Sequence, residues 1–171
     1  MTTETVPTAV LPPPRPGPAW LPDPGTYGAA PDRCITELTA RFGPLTTLRR
    51  RLTALAADLT VAPEPEDCVL SLELAGRVLR GRVLTFVSTS ITPEADGSRL
   101  RVLGELALAD APAPAALTLR VVDRAADRLL ALGTLGLPYG PVRRTTGLTL
   151  PRTRPADRIR LLVAAEFTCP A

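Results

Sequence analysis

The side chains in this sequence that could do chemistry are arginines, carboxylates, hydroxyls and three thiols. All 20 basic residues are Arg, and Lys, His, Asn and Gln are absent. Without His there is no ordinary neutral-pH general base and no imidazole metal ligand. Without Lys there is no Schiff base and no phosphate-binding P-loop. Ser88 and Ser90 therefore lack a base to activate them, and side-chain oxyanion donors reduce to Ser, Thr, Tyr or Arg. Cys34, Cys68 and Cys169 form no C-x-x-C pair, and a zinc site would need a fourth ligand that His cannot supply. They read as reduced thiols of a core. Glu64 and Glu66 fall in a Pro-rich turn and read as solvated. Arg49-Arg50-Arg51 has the chemistry to grip an anionic headgroup, and Arg143, Arg144, Arg152 and Arg154 could ring a pocket mouth. Single-sign runs are usually an outer, solvated surface, which is the reading preferred here. No catalytic residue, metal site or cofactor is expected.

Such residues need elements to position them, and the clearest element is a hairpin. Val83–Ile91 and Leu100–Leu108 flank Pro93-Glu94-Ala95-Asp96-Gly97-Ser98. In the second run Leu100, Val102, Leu106 and Leu108 share one parity, and Arg99, Arg101 and Glu105 share the other. Period-2 alternation puts one set inside and the other in water, and Pro93 and Asp96-Gly97 supply the turn. Further strands are predicted at Arg33–Ala40, Val69–Leu74, Ala116–Val122, more weakly at Arg128–Leu137, and at Arg158–Phe167. Ala109–Ala115 is expected to be a loop. Pro138–Asp157 is expected to be a long mobile loop around a short strand at Gly147–Leu150.

Leu45–Val61 is ambiguous. Leu45, Leu48, Leu52, Leu55 and Leu59 trace a helical stripe. As a strand, the segment changes phase near Ala54-Leu55, and a β-bulge would provide the change. Residues 1–31 hold nine of the 20 prolines, so residues 1–25 are expected to be a disordered Pro-rich arm, with Trp20 placed to pin it. Residues 26–171 then form the domain. With 45% hydrophobic residues the chain can bury a core. A net charge of +3 is too small for a nucleic-acid footprint. No signal peptide and no 18-residue apolar run are visible, so cytoplasmic residence without stable membrane insertion is the expectation.

The order of motifs resembles the YceI-like family of lipocalin-like, polyisoprenoid-binding proteins. The likeness is carried by Thr26-Tyr27 with Asp32, by Phe42-Gly43-Pro44-Leu45-Thr46-Thr47-Leu48-Arg49-Arg50-Arg51-Leu52, by Phe86-Val87-Ser88-Thr89-Ser90-Ile91, and by Leu103-Gly104-Glu105-Leu106-Ala107-Leu108 followed by Ala116-Leu117-Thr118-Leu119. The resemblance implies that residues 45–61 are a strand and that the whole is an all-β, antiparallel lipocalin-like β-barrel. It departs at Arg50, where the family has Gly, at Ala109-Asp110, and at Ala75–Arg82, which replaces a longer segment containing helix. If that segment helps to enclose a ligand, this barrel is shallower or more open.

An antiparallel barrel of this size holds one small ligand or fills itself. The apolar lining expected is Leu84, Phe86, Ser88, Leu100, Val102, Leu106, Leu108, Leu119, Leu161 and Val163. The resemblance implies a binding or carrier protein for an extended apolar, isoprenoid-like small molecule. The alternative is a non-catalytic structural or interaction module with a filled interior. A homodimer is left open, and an enzyme shaping a polyene in an apolar pocket is the least favoured reading.

Overall fold

The computed structural model describes residues 21–42, 46–94, 98–108, 111–147 and 159–169. The strands are β1 (Gly25–Gly28), β2 (Cys34–Phe42), β3 (Thr46–Val61), β4 (Val69–Ala75), β5 (Leu84–Pro93), β6 (Arg99–Leu108), β7 (Ala111–Ala125), β8 (Arg128–Leu137) and β9 (Ile159–Thr168), with one helix, α1 (Tyr139–Thr146), between β8 and β9. β2 to β8 form a meander of antiparallel neighbours, and β9 inserts between β8 and β2 to close the sheet into a barrel. β1 continues the line of β2, pairing with the far end of β3 and touching β9. The wall is thus eight strands wide, with its first strand interrupted.

Alternation explains the closure. β6 and β9 bury every second residue and expose or half-expose the others. The inward residues merge into one apolar core. Residues 46–61 are strand and not helix, and the expected phase change is present: the register with β4 shifts between Ala54 and Ala56. Leu52 and Ala54 are buried before the bulge, and Ala57, Leu59 and Val61 after it. Similar shifts occur between Ser88 and Ser90 in β5 and between Val121 and Asp123 in β7. Leu55 and Val122, 54% and 51% exposed, are the residues displaced by two of these bulges, which explains why such apolar side chains face water.

Three expectations need correction. Residues 111–115 belong to β7, not to a loop. Pro112 and Pro114 pair with Ala107 and Glu105 of β6. The Val121 N–H bonds back to Ser98 on the β6 side at 2.9 Å, so the odd-numbered residues of β7 hydrogen-bond to β6 and the even-numbered ones point away. The β8 ladder reaches only Leu117, so both prolines sit where no partner asks for an N–H. Second, the stretch after Pro138 opens with α1 rather than a loop. Val142 and Thr146 are buried, and the helix packs against β6 and the 3-10 turn Arg77–Leu79. Gly147 ends it at φ +66, and a side chain there would run into the Arg80 guanidinium. Third, the strand expected to end at Val122 runs on to Ala125, which leaves only Ala126-Asp127 for the turn to β8. The expected strand at Gly147–Leu150 begins on the residue that ends α1; its remaining residues, with Trp20 and the Pro-rich run before it, lie outside the described residues.

The first described residues are fastened to one end of the barrel. Leu21 is buried, its carbonyl accepts from Arg124, and Asp23 N–H donates to Ala126 O at 3.1 Å. The Tyr27 hydroxyl donates to the Asp23 carbonyl at 2.5 Å, with the Ala126 carbonyl 3.0 Å away.

Candidate functional site: the barrel interior

All ten residues of the expected lining are buried inside the barrel. Phe86 and Leu84 come from β5, Val102 and Leu106 from β6, Leu119 from β7, and Leu161 and Val163 from β9. Among the described residues the core is aliphatic with three large aromatic exceptions on strands, Tyr27, Phe86 and Phe167. Three buried residues among those described are polar, and each is tied to backbone. Ser88 Oγ accepts from the Leu70 N–H at 2.8 Å, just beyond the β4–β5 ladder. Thr36 Oγ1 donates to Leu52 O at 3.0 Å, and Thr146 Oγ1 to Val142 O at 2.7 Å. Among the described residues no buried side-chain polar atom lacks a partner. Ser88 thus serves the sheet.

The lining read from sequence omits a second group. Cys34 of β2, Ala165 of β9 and Ala131 of β8 lie side by side across three strands. Thr36 and Gly133 lie one inward step along, and Ala54 faces them from β3. All but Gly133 carry small side chains on the inner face, and Val163 lies between Thr36 and Gly133. The space over Gly133 is taken: a Cβ there would lie 2.9 Å from Leu119 and 3.0 Å from Leu117. The signal was available in the alternation of Cys34, Thr36 and Ala40, but a search for bulky apolar residues passes over it.

The arginine runs are exposed to solvent: Arg49 and Arg51 face outward, whereas Arg50 shares the parity of buried Leu52 and pairs with buried Leu38 near the β2–β3 end of the barrel. Arg49, Arg50 and Arg51 are exposed, as are Arg143 and Arg144 on α1; Arg152 and Arg154 lie outside the described residues. The outer face also carries Arg33–Glu166 and Arg128–Asp123 ion pairs at 2.9 and 2.6 Å. Exposed pairs of this kind contribute about 0–1 kcal/mol each.

Burial pushes the Cys34 thiol above its ordinary 9.0. It does the same for Cys68, partly opposed by the Ala62 N–H that donates to Sγ. Tyr27 is raised from 10.0 by burial first, then by Cys169 and nearby carboxylates. In each case the folded state favours the protonated form. The stabilisation is complete below the unfolded values and is lost as pH rises through the folded ones. Urea midpoints should therefore hold steady to about pH 8 and fall above pH 9, and Cys34→Ala should flatten part of that fall. A midpoint unchanged to pH 11 would contradict the burial of these groups.

No protein-family model and no curated protein matches this sequence. Among solved structures, the chain is similar to a polyisoprenoid binding domain from Saccharophagus degradans implicated in plant cell wall breakdown. The TM-score is 0.52 at 9% sequence identity, over 84% of this chain and 98% of that one. The protein is a closed antiparallel barrel of eight strands with the fold of that polyisoprenoid-binding domain, the architecture implied by the order of its motifs.

Proposed function

We propose that this barrel binds an extended apolar molecule of isoprenoid type in its interior and acts as a carrier or binding protein, not as an enzyme. The observation that carries the reading is the interior itself, aliphatic and with each of its buried polar groups already bonded to backbone. Such a surface recognises length and shape. Its affinity comes from apolar area removed from water, at about 25 cal/mol per Å². The likeness in fold to a polyisoprenoid binding domain agrees with this reading.

Val102 is fully buried in β6, beside Leu117 and Ile91. Val102→Trp should fill the interior and reduce binding of a fluorescent polyprenyl analogue at least ten-fold. The fold should survive at a cost of about 1–3 kcal/mol. Equal binding by wild type and variant would exclude an interior site. Mass spectrometry of organic extracts of the native protein gives the ligand class directly.

A second reading is a filled barrel with a structural or interaction role. It is favoured by Leu117 and Leu119 closing over Gly133, and by Phe86 closing over Gly104. It becomes the better reading if wild type binds no extended apolar molecule at all.

A further inference from the structure

The barrel wall has a break. β2 pairs with β3 as far as Leu52, and β1 resumes at Asp58, with one added bond from Ala29 N–H to Ala57 O at 2.8 Å. Thr53–Ala56 therefore have no strand partner on that side. The cause lies in the chain. Gly28 and Thr36 are eight residues apart, whereas their partners Asp58 and Leu52 are six apart. The excess is thrown outward as the 3-10 turn Pro31–Arg33, whose proline has no N–H to give to a ladder. The Leu55 bulge bends β3 at the same level.

A cleft of about 370 Å³ occupies this break, lined by Pro31, Asp32, Cys34, Thr36, Arg51 and Leu52 among others. Arg51 belongs to the outer face of the sheet. Cys34, Thr36 and Leu52 belong to the inner face, at 7%, 0% and 4% exposure. The cleft thus enters the break from the outer face and ends against Cys34, Thr36 and Leu52, which are almost fully buried. From Cys34 the row of small inward side chains continues around the wall to Ala165 and Ala131. Neither Asp32 nor Arg51 has an ion-pair partner among the described residues.

We infer that this break is a side opening of the barrel, where the polar end of the bound apolar molecule rests while its tail lies inside. The inference builds on the carrier reading above and adds the chemistry of the head. A group between Arg51 and Asp32 must accept from a guanidinium and donate to a carboxylate. A hydroxyl does both, whereas a hydrocarbon does neither and a full anion is opposed by Asp32. The ligand class is therefore a long-chain alcohol whose hydroxyl sits in the wall. Cys34 lines the cleft and reports on it; Cys68, buried more deeply still, lies at the β3–β4 turn away from it.

The test uses the intact chain with a C20 prenyl alcohol, the C20 prenyl monophosphate and the matching C20 hydrocarbon. Thiol modification by methyl methanethiosulfonate is mapped by peptide mass at each Cys. Wild type should bind the alcohol at least ten-fold tighter than the hydrocarbon. Arg51→Ser and Asp32→Ala should each reduce that preference below three-fold while leaving hydrocarbon binding unchanged. Bound alcohol should slow Cys34 modification at least five-fold and leave exposed Cys169 unaffected. A preference for the phosphate that is stronger in Asp32→Ala than in wild type also supports a head seated between these residues. Retention of the alcohol preference in Arg51→Ser, or no protection of Cys34 by bound alcohol, overturns the inference. If wild type binds none of the three, the carrier reading fails on its own. The opening is then judged by the free chain: Cys34 reacting at least ten-fold faster than Cys68 supports it, and equal rates overturn it.

Discussion

Replacing Gly104 with alanine should destabilise the protein by about 3 kcal/mol or more, although the change adds a single methyl group. Gly104 sits on the inner face of β6 opposite the β5 bulge. A Cβ there would collide with the Val87 carbonyl oxygen, lie 2.8 Å from Ser88 Cα and lie 2.9 Å from the Phe86 ring. Two of these obstacles are backbone, which cannot rotate away. Phe86→Leu should therefore fail to rescue Gly104→Ala, whereas a clash with a side chain alone would be relieved. For a chain of this size the melting temperature should drop by on the order of 10 °C. A calorimetric shift of only one or two degrees would mean that β5 and β6 are not so closely apposed.

Single-residue deletions should divide sharply by strand. Deleting Leu162 from β9 should abolish the folded state. β9 is in unbroken register with β2 on one side and β8 on the other, so a lost residue cannot be absorbed. Val163, Ala165 and Phe167 would turn to solvent and Glu166 would turn inward. Exposing Val163 and Phe167 costs about 1.5–3 kcal/mol each, and an unpaired buried carboxylate costs more. Together these consume most of the 5–15 kcal/mol typical of a domain. Deleting Leu55 from β3 should cost about 1 kcal/mol or less. That residue is the extra one in a bulge, and its loss leaves Leu52, Ala54, Ala57 and Leu59 on the inner parity. Circular dichroism and amide dispersion in NMR spectra of the two variants read the contrast directly. A folded Leu162 deletion would show that β9 has slack that its pairing does not reveal.

Much of the fold is legible in the residues because alternation is a strong constraint wherever one face is buried. The β5–β6 hairpin, β4 and β9 follow from it directly. In β3 the alternation is broken by the bulge, and the leucine spacing imitates a helix; the motif order decides for strand, and the change of phase at Ala54-Leu55 is what the two halves of the pattern require. The misreadings have local causes. Pro112 and Pro114 are turn formers by habit, and only the missing β8 partner makes them acceptable in a strand. The residues of α1, with Gly140 and Pro141 in its first turn, carry little helical propensity; tertiary packing of Val142 holds them helical. The bulky side of the interior is read correctly by counting leucines and valines on inward parities. Its small-residue side, Cys34, Thr36, Ala54, Ala131 and Ala165, depends on which strands end up adjacent. That neighbourhood is set by barrel closure, and no local pattern specifies it.

Closure by β9 also sets the order of events during synthesis. Every other pairing in the meander joins strands that follow one another, so β2 to β8 can assemble as successive hairpins while the chain is being made. Cys34 must wait for Ala165. Until residues 159–168 leave the ribosome, the nascent sheet has two open edges, β2 and β8, and an apolar inner face with nothing to curl around. β9 supplies both missing ladders in one step. Pairings so distant in sequence place such barrels among the slow-folding domains, on timescales of roughly milliseconds to seconds. A chain stalled just before Ile159 would be the form most in need of a chaperone.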